Sequence, residues 1–332
     1  MINLPGRYWD QDVVLDDKYR KIKRTCVEMT MRTEKRLGSG WLRFICLGFL
    51  LLLLAGCEAG QQEKQGQKQQ IRLDRLKQLP VEQIEPDSQT LRVGVGAVLS
   101  PQGTALSYQP LINYLSRRMN KPAVLVQRRT YQELNDLLAR NVVDIGIICT
   151  GAYRKETMSL LVVPQINGKT IYQSFIIVPA SSPIREFPGL RGKVFAFTDP
   201  LSNTGYLAPI ALLRSMGQQP ETFFARTIFT HGHDRSVAAV MEGIADGASV
   251  DNLVYEFIGK RNEEIGRKTK VIWKSAEFGI PPVVVPRTLS PAIKSQLKEL
   301  LLGLHQDPEG IKALEVIGVE RFVEPEPSMY GL

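Results

Sequence analysis

Apolar and polar positions change rhythm along the chain, and each change marks an element. Residues 91–99 (LRVGVGAVL) are a continuous apolar, β-branched run, the pattern of a buried strand. Leu111, Ile112, Leu115 and Met119 then share one face of a helix. Residues 123–129 read as a second strand, and Thr130-Tyr131-Gln132-Glu133 is a capping box that opens a second helix. Residues 142–149 (VVDIGIIC) form a third strand ending at Thr150-Gly151. This β-α-β-α-β order implies a parallel sheet.

Residues 158–163 and 171–178 predict two more strands, joined around Asn167-Gly168. The segment 179–183 (PASSP) breaks the pattern, and a second α/β series begins. It has strands at 193–198, 222–230 and 246–250, and helices at 204–216 and 252–259. Asp234 is placed to cap a further helix with Val237, Val240, Met241 and Ile244 on its core face. Strands at 270–274 and 283–285 follow. Ser290-Pro291 then opens a last long helix, with Ile293, Leu297, Leu300, Leu301 and Leu304 on its apolar face. Two α/β halves joined in the middle predict two lobes. Ligands of such folds sit at strand C-termini and helix N-termini. The loops 98–106, 129–131, 149–153, 198–205 and 231–235 therefore matter most.

The segment before residue 58 has another character. Residues 44–56 (FICLGFLLLLLAG) are thirteen positions without a charge. A spanning helix needs about twenty, and the apolar part of a signal peptide about 7–15. Arg32, Lys35, Arg36 and Arg43 supply a positive flank. Leu54-Ala55-Gly56-Cys57 resembles a bacterial lipobox, in which cleavage precedes a cysteine that is then lipidated. This predicts an extracytoplasmic lipoprotein, anchored to the membrane through Cys57. Asp10, Asp12, Asp16 and Asp17 fit no signal peptide, so the expected translation start is Met31 or Met29. Residues 57–90, with QQEKQGQKQQ, read as a lipidated cysteine followed by a polar tether; 69–79 within it predict a transient helix.

Composition and charge refine this picture. A chain of 332 residues with 43% hydrophobic content suggests about two domains and excludes a disordered or collagen-like protein. The net charge of +8 hints at nucleic acid. Half of it, however, lies in residues 1–56, with ten Lys/Arg against six Asp/Glu. No nucleic-acid partner is expected. After cleavage only Cys57 and Cys149 remain, so the mature chain has no internal disulfide.

The sharpest chemical signal is TDPLSNTGYLAP, residues 198–209. A strand ends at Asp199-Pro200 and a helix begins near Thr204-Gly205. Ser202, Asn203 and Thr204 lie at that junction, where hydroxyls, an amide and backbone N–H groups can surround an anion at the positive end of a helix. The same residue types are also ordinary helix caps. His231 and His233 form a His-x-His pair, too few ligands for a metal site, and no metal or cofactor is expected.

The pattern Asp199-Pro200-x-Ser202-x-Thr204-Gly205-Tyr206-Leu207-x-Pro209 resembles the signature loop of the phosphate, phosphite and phosphonate substrate-binding proteins of ABC transporters. Gly232-His233-Asp234, residues 248–253 and residues 271–275 extend the resemblance, which covers about 91–304. It implies the α/β, type 2 periplasmic binding protein fold: two lobes, each a mixed sheet flanked by helices, with the cleft between them. Lobe 1 would comprise 91–179 and 273–332 and lobe 2 would comprise 180–272, with hinges near 178–181 and 271–275. Ser202, Asn203 and Thr204 would hold the oxyanion, with His233 as a donor from the facing loop. Tyr131 and Tyr172 match aromatic positions lining the cleft, and Thr150, Gly151 and Ala152 match the facing first-lobe loop. Asp251 matches an acidic position that pairs with the ammonium of aminoalkylphosphonates, and it also reads as the N-cap of 252–259. The second acid of that pair should fall near Ile280-Pro281-Pro282, where no carboxylate stands. Phosphate, phosphite or an unsubstituted phosphonate is then at least as good a ligand.

The resemblance implies a monomer with three partners: a small oxyanion, the membrane reached through its lipid, and an ABC permease. A membrane sensor kinase or cyclase could read the same closed form. The rival class is an enzyme on this fold, with Cys149 as nucleophile and His233 as its base.

Overall fold

The computed structural model describes residues 89–96 and 98–331. The signal-like segment, Cys57 and the tether to residue 88 lie outside the described residues, as does the helix expected at 69–79. Among the described residues the first elements are β1 (Leu91–Val95), in the expected run, α1 (Pro101–Met119), β2 (Ala123–Gln127), α2 (Tyr131–Ala139), β3 (Ile145–Ile147) and β4 (Met158–Gln165). The capping box of α2 is present in both directions, between Thr130 and Glu133. Asn167 and Gly168 both take positive φ, 50° and 71°, in the tight turn after β4.

Then follow β5 (Ile171–Tyr172), β6 (Ser174–Pro179), β7 (Val194–Phe197), α3 (Ala208–Ser215), β8 (Arg226–Phe229), α4 (His233–Met241), β9 (Gly247–Asp251) and α5 (Asn252–Arg261). The chain closes with β10 (Thr269–Lys274), β11 (Phe278–Gly279), β12 (Val283–Pro286), α6 (Pro291–Gly303), α7 (Pro308–Ile317) and β13 (Arg321–Val323). Among the described residues no helix is long and apolar enough to cross a membrane.

Two mixed sheets carry the two lobes. The first has the order β13-β4-β12-β3-β1-β2, and the second β10-β6-β9-β7-β8. In each, one central strand has parallel neighbours on both sides: β1 between β2 and β3, and β7 between β8 and β9. The apolar faces pack as the periodicity requires, with Leu111, Ile112 and Leu115 of α1 and Leu297 and Leu301 of α6 in one core. Each such side chain contributes about 1.5–3 kcal/mol when fully buried. Ile244 is the exception: it follows the end of α4 and is 53% exposed.

One expected strand divides. Residues 171–178 break at Gln173, so that β5 pairs with β11 while β6 pairs with β9 and β10. A boundary at 179/180 would leave β6 with the first sheet; its ladder places it in the second. The chain therefore crosses between sheets at Gln173, and returns at Ser275 after β10. The two crossings are tied together: Gln173 Nε2 donates to the Ser275 carbonyl (2.6 Å), and the Ser174 N–H donates to Ser275 Oγ (2.9 Å). Apolar runs fill both sheets, so hydrophobic pattern alone cannot assign a strand to either.

Candidate functional site

The loop after β7 is held from behind by an aromatic cluster. Phe195 stacks on Phe224 (centroids 4.6 Å apart), and Phe197 meets Tyr206 edge-on (5.0 Å). Ser202 caps the next element, its Oγ accepting from Gly205 N–H at 3.0 Å. One wide turn follows, Asn203–Leu207, in which Leu207 N–H reaches back to the Ser202 carbonyl (2.9 Å), before α3 starts with Pro209 in its opening turn. The Thr204 carbonyl accepts from Ser174 Oγ and Ser249 Oγ, both at 2.6 Å. This fixes the Thr204 backbone, while its own hydroxyl, fully buried, has no protein partner; nor does Asn203 Nδ2. A buried unpaired hydroxyl costs about 1–3 kcal/mol.

His233 opens α4 and is buried. Its Nδ1 accepts from the Asp251 N–H at 3.1 Å and lies 3.2 Å from Thr198 Oγ1. With Nδ1 accepting, the ring proton sits on Nε2. Burial lowers its pKa to about 3, so the ring is a neutral donor at physiological pH. His231, at φ 55°, has a buried Nδ1 without a hydrogen-bond partner, 4.0 Å from an Asp199 oxygen. Among the described residues no three His, Cys, Asp or Glu side chains group as a metal site.

Asp251 is the N-cap of α5, its Oδ1 accepting from Leu253 N–H (2.8 Å) and Val254 N–H (3.3 Å). Burial raises this carboxyl to about 7, against those two bonds. Burial, and then the Asp251 charge, raise Tyr108 to about 12.

From the first lobe come Tyr131, Tyr172, Thr150, Gly151 and a residue not assigned to binding from sequence, Cys149. Tyr131 and Tyr172 are both buried, the second with its hydroxyl 3.5 Å from Cys149 Sγ. That sulfur accepts from the Asn203 N–H (3.0 Å), the second-lobe junction itself. Burial pushes the thiol pKa up. Thr150 Oγ1 is committed to the Gly279 carbonyl at 2.6 Å. At Gly151 the lobes approach closely: a Cβ there would stand 2.7 Å from the Leu201 carbonyl oxygen and 3.0 Å from Asn203 N.

Two second-lobe carboxylates bridge to the first lobe. Asp199, 1% exposed, accepts from the Tyr131 N–H at the start of α2 (3.2 Å) and from Leu201 N–H (2.8 Å). Asp234 does not cap its own helix, whose N-cap is Gly232. Instead both its oxygens take the Ser100 N–H at the start of α1, at 2.9 and 3.0 Å. Its Oδ1 also accepts from the Arg235 N–H in the first turn of α4 (2.9 Å), so one carboxylate serves its own helix and reaches across the cleft. The Asp199-Pro200 pair flags a loop carboxylate; nothing local flags its partner.

Residues 93–330 match the family described as "ABC transporter, phosphonate, periplasmic substrate-binding protein". The "Phosphate-import protein PhnD" of Mycolicibacterium smegmatis is 25% identical over 209 residues, 58% of this chain and 65% of that protein. The "Phosphonates-binding periplasmic protein" of Escherichia coli is 23% identical over 249 residues, covering 70% and 72% of the two chains. Among solved structures, a binding protein component of an ABC phosphonate transporter from Pseudomonas aeruginosa has the same fold. It superposes with a TM-score of 0.68 at 21% identity, over 73% of this chain and 83% of the other.

Proposed function

This chain belongs to the family of periplasmic phosphonate substrate-binding proteins of ABC transporters, and on that premise we propose that it captures a phosphonate, phosphite or phosphate-type oxyanion for an importer permease. The oxyanion sits at Ser202, Asn203 and Thr204, with His233 as a neutral donor. The observation that carries this assignment is the buried Thr204 hydroxyl without a protein partner, beside a turn whose backbone is already fixed. Neutral donors and helix termini can hold a dianion without a salt bridge.

Capture is by lobe closure about the crossings at Gln173 and Ser275. Tyr131, Tyr172 and Gly151 close over the ligand from the first lobe. Thr150 contributes backbone rather than its hydroxyl, which is held by Gly279. Asp199 and Asp234 fasten the closed form. Lipidation at Cys57 and the tether keep the monomer at the membrane, outside the cytoplasm.

Family members are substrate-binding transport proteins, and this chain is proposed to catalyse nothing. Burial raises the Cys149 thiol rather than activating it, and Nδ1 of His233 is engaged by Asp251. Titration calorimetry against phosphate, phosphite, methylphosphonate and 2-aminoethylphosphonate tests the reading. Heat with at least one of them is expected; none from any of the four contradicts it.

A further inference from the structure

The lobes also meet away from the oxyanion seat. On the first-lobe side stands α7, with Ala313 and Leu314 in the core that holds Leu111 and Leu115 of α1. On the second-lobe side stands α5, held by buried Val254 and by Tyr255, whose hydroxyl lies 2.8 Å from Thr269 Oγ1. Each helix is fixed in its own lobe, and the end of α7 meets the last turns of α5.

A helix leaves its last four carbonyls without partners inside the helix. In α7 the turn at Gly318, φ 70°, takes care of two of them. The Gly318 N–H donates to the Glu315 carbonyl (3.2 Å) and the Val319 N–H to the Leu314 carbonyl (3.0 Å). A third, the Val316 carbonyl, accepts from Arg261 Nη2 of the other lobe at 3.1 Å. The same guanidinium lies over the Phe257 ring, 3.6 Å from its centroid. A Cβ at position 318 would stand 2.7 Å from that ring. Glycine therefore serves twice here, for its left-handed backbone and for the closeness of the two lobes.

This contact completes a pattern. Asp234 and Asp199 of the second lobe take N–H groups at the starts of α1 and α2. Arg261 of the same lobe donates to a carbonyl at the end of α7. Each second-lobe charge has the sign that its first-lobe helix end attracts. The seat lies at the opposite end of α5, where the Asp251 N–H donates to His233. Ten residues of helix span about 15 Å, which puts Arg261 beyond contact with an oxyanion held by His233.

We propose that Gly318, Phe257 and Arg261 form a clasp that positions the lobes for capture, and that this clasp sets how tightly the protein holds its oxyanion without touching it. The proposal rests on the closure reading given above. The test is calorimetry of the full-length protein with phosphate, phosphite and methylphosphonate. Gly318→Ala, which puts a methyl group against the ring, and Arg261→Met, which removes the bond to α7, should each weaken binding about fivefold or more, the loss of about one net hydrogen bond. The loss should be the same for every oxyanion that the wild type binds, because the clasp meets none of them. In a Phe257→Ala background, Gly318→Ala should change affinity less than about twofold. Backbone strain at 318 is common to open and closed forms, so it lowers the melting temperature and leaves affinity alone.

Unchanged affinity in both variants, whatever their melting temperatures, overturns the clasp and leaves the seat intact. A loss that differs from one oxyanion to another overturns it too, since these residues would then act on the ligand itself. Should the wild type bind none of the three, the seat falls, and small-angle scattering of the ligand-free proteins decides the clasp alone. A larger radius of gyration in the variants is then expected, and equal radii overturn it. Should Gly318→Ala fail to fold, Arg261→Met, at an exposed position, carries the same test.

Discussion

The two lobes bring helix N-termini to the cleft at equivalent places, after the central strand and after its parallel neighbour, yet they end differently. In the first lobe these are Ser100 and Tyr131, and their N–H groups are met by Asp234 and Asp199 of the other lobe. In the second they are the 202–204 junction and His233. There one N–H meets a thiol, one buried hydroxyl meets no partner, and the imidazole is neutral. An arriving oxyanion would be repelled at the first lobe by carboxylates already in place. At the second, the lobe's own Asp199 and Asp234 accept from first-lobe N–H groups, and the Thr204 hydroxyl of the proposed seat has no protein partner. Topological equivalence does not confer chemical equivalence; what already satisfies each helix end decides which one binds.

Breaking the carboxylate side should have the largest effect. Asp199→Ala leaves the N–H groups of Tyr131 and Leu201 unpaired in a buried site, and is expected to cost about 3 kcal/mol in urea denaturation. A loss below about 1 kcal/mol would mean that Asp199 does not fasten the lobes.

The Asp251 carboxyl sharpens the comparison through pH. Its folded value of about 7 lies above the ordinary 3.8. Between those values the folded protein keeps a proton that the unfolded chain releases, so this group's contribution is full below about pH 4 and declines toward 7. Asp251→Asn should remove that decline, with the melting temperature of the variant gaining on wild type as pH rises from 4 to 7. The difference is at most about 1.4 kcal/mol per pH unit. His233, lowered to about 3, has the opposite slope in both proteins and cancels in the comparison. A constant difference across this range would contradict the raised value.

Much of the architecture is readable from the chain. The apolar runs of β1, β3, β7 and β9 announce two parallel sets, and the Thr130 box and the Asn167-Gly168 turn are local signals that the structure keeps. The break at Gln173 is not readable, because its cause is a bond to Ser275, 102 positions away. The same holds for Asp199 with Tyr131 and Asp234 with Ser100, separated by 68 and 134 positions. Periodicity reports which face is buried, but not which distant N–H group a carboxylate will meet. Cys149 was legible as the end of an apolar strand, and its approach to Asn203 depends on two lobes meeting.

The smallest effect is expected at the first-lobe counterpart of the junction. Ser100→Ala removes the bond from Gly103 N–H to Ser100 Oγ, a cap worth about 1 kcal/mol. It should leave oxyanion affinity within twofold of wild type by calorimetry. A tenfold loss would put the anion on both lobes and dissolve the comparison.

The most direct test is Thr204→Val, which keeps the shape of the side chain and removes the one buried hydroxyl of the junction that has no protein partner. Stability without ligand and oxyanion affinity should be measured on the same preparation. The account predicts stability unchanged or higher by about 1 kcal/mol, with affinity at least tenfold weaker for whichever oxyanion the wild type binds. Unchanged affinity would contradict it, because the hydroxyl would then be a structural feature and the oxyanion seat would lie elsewhere.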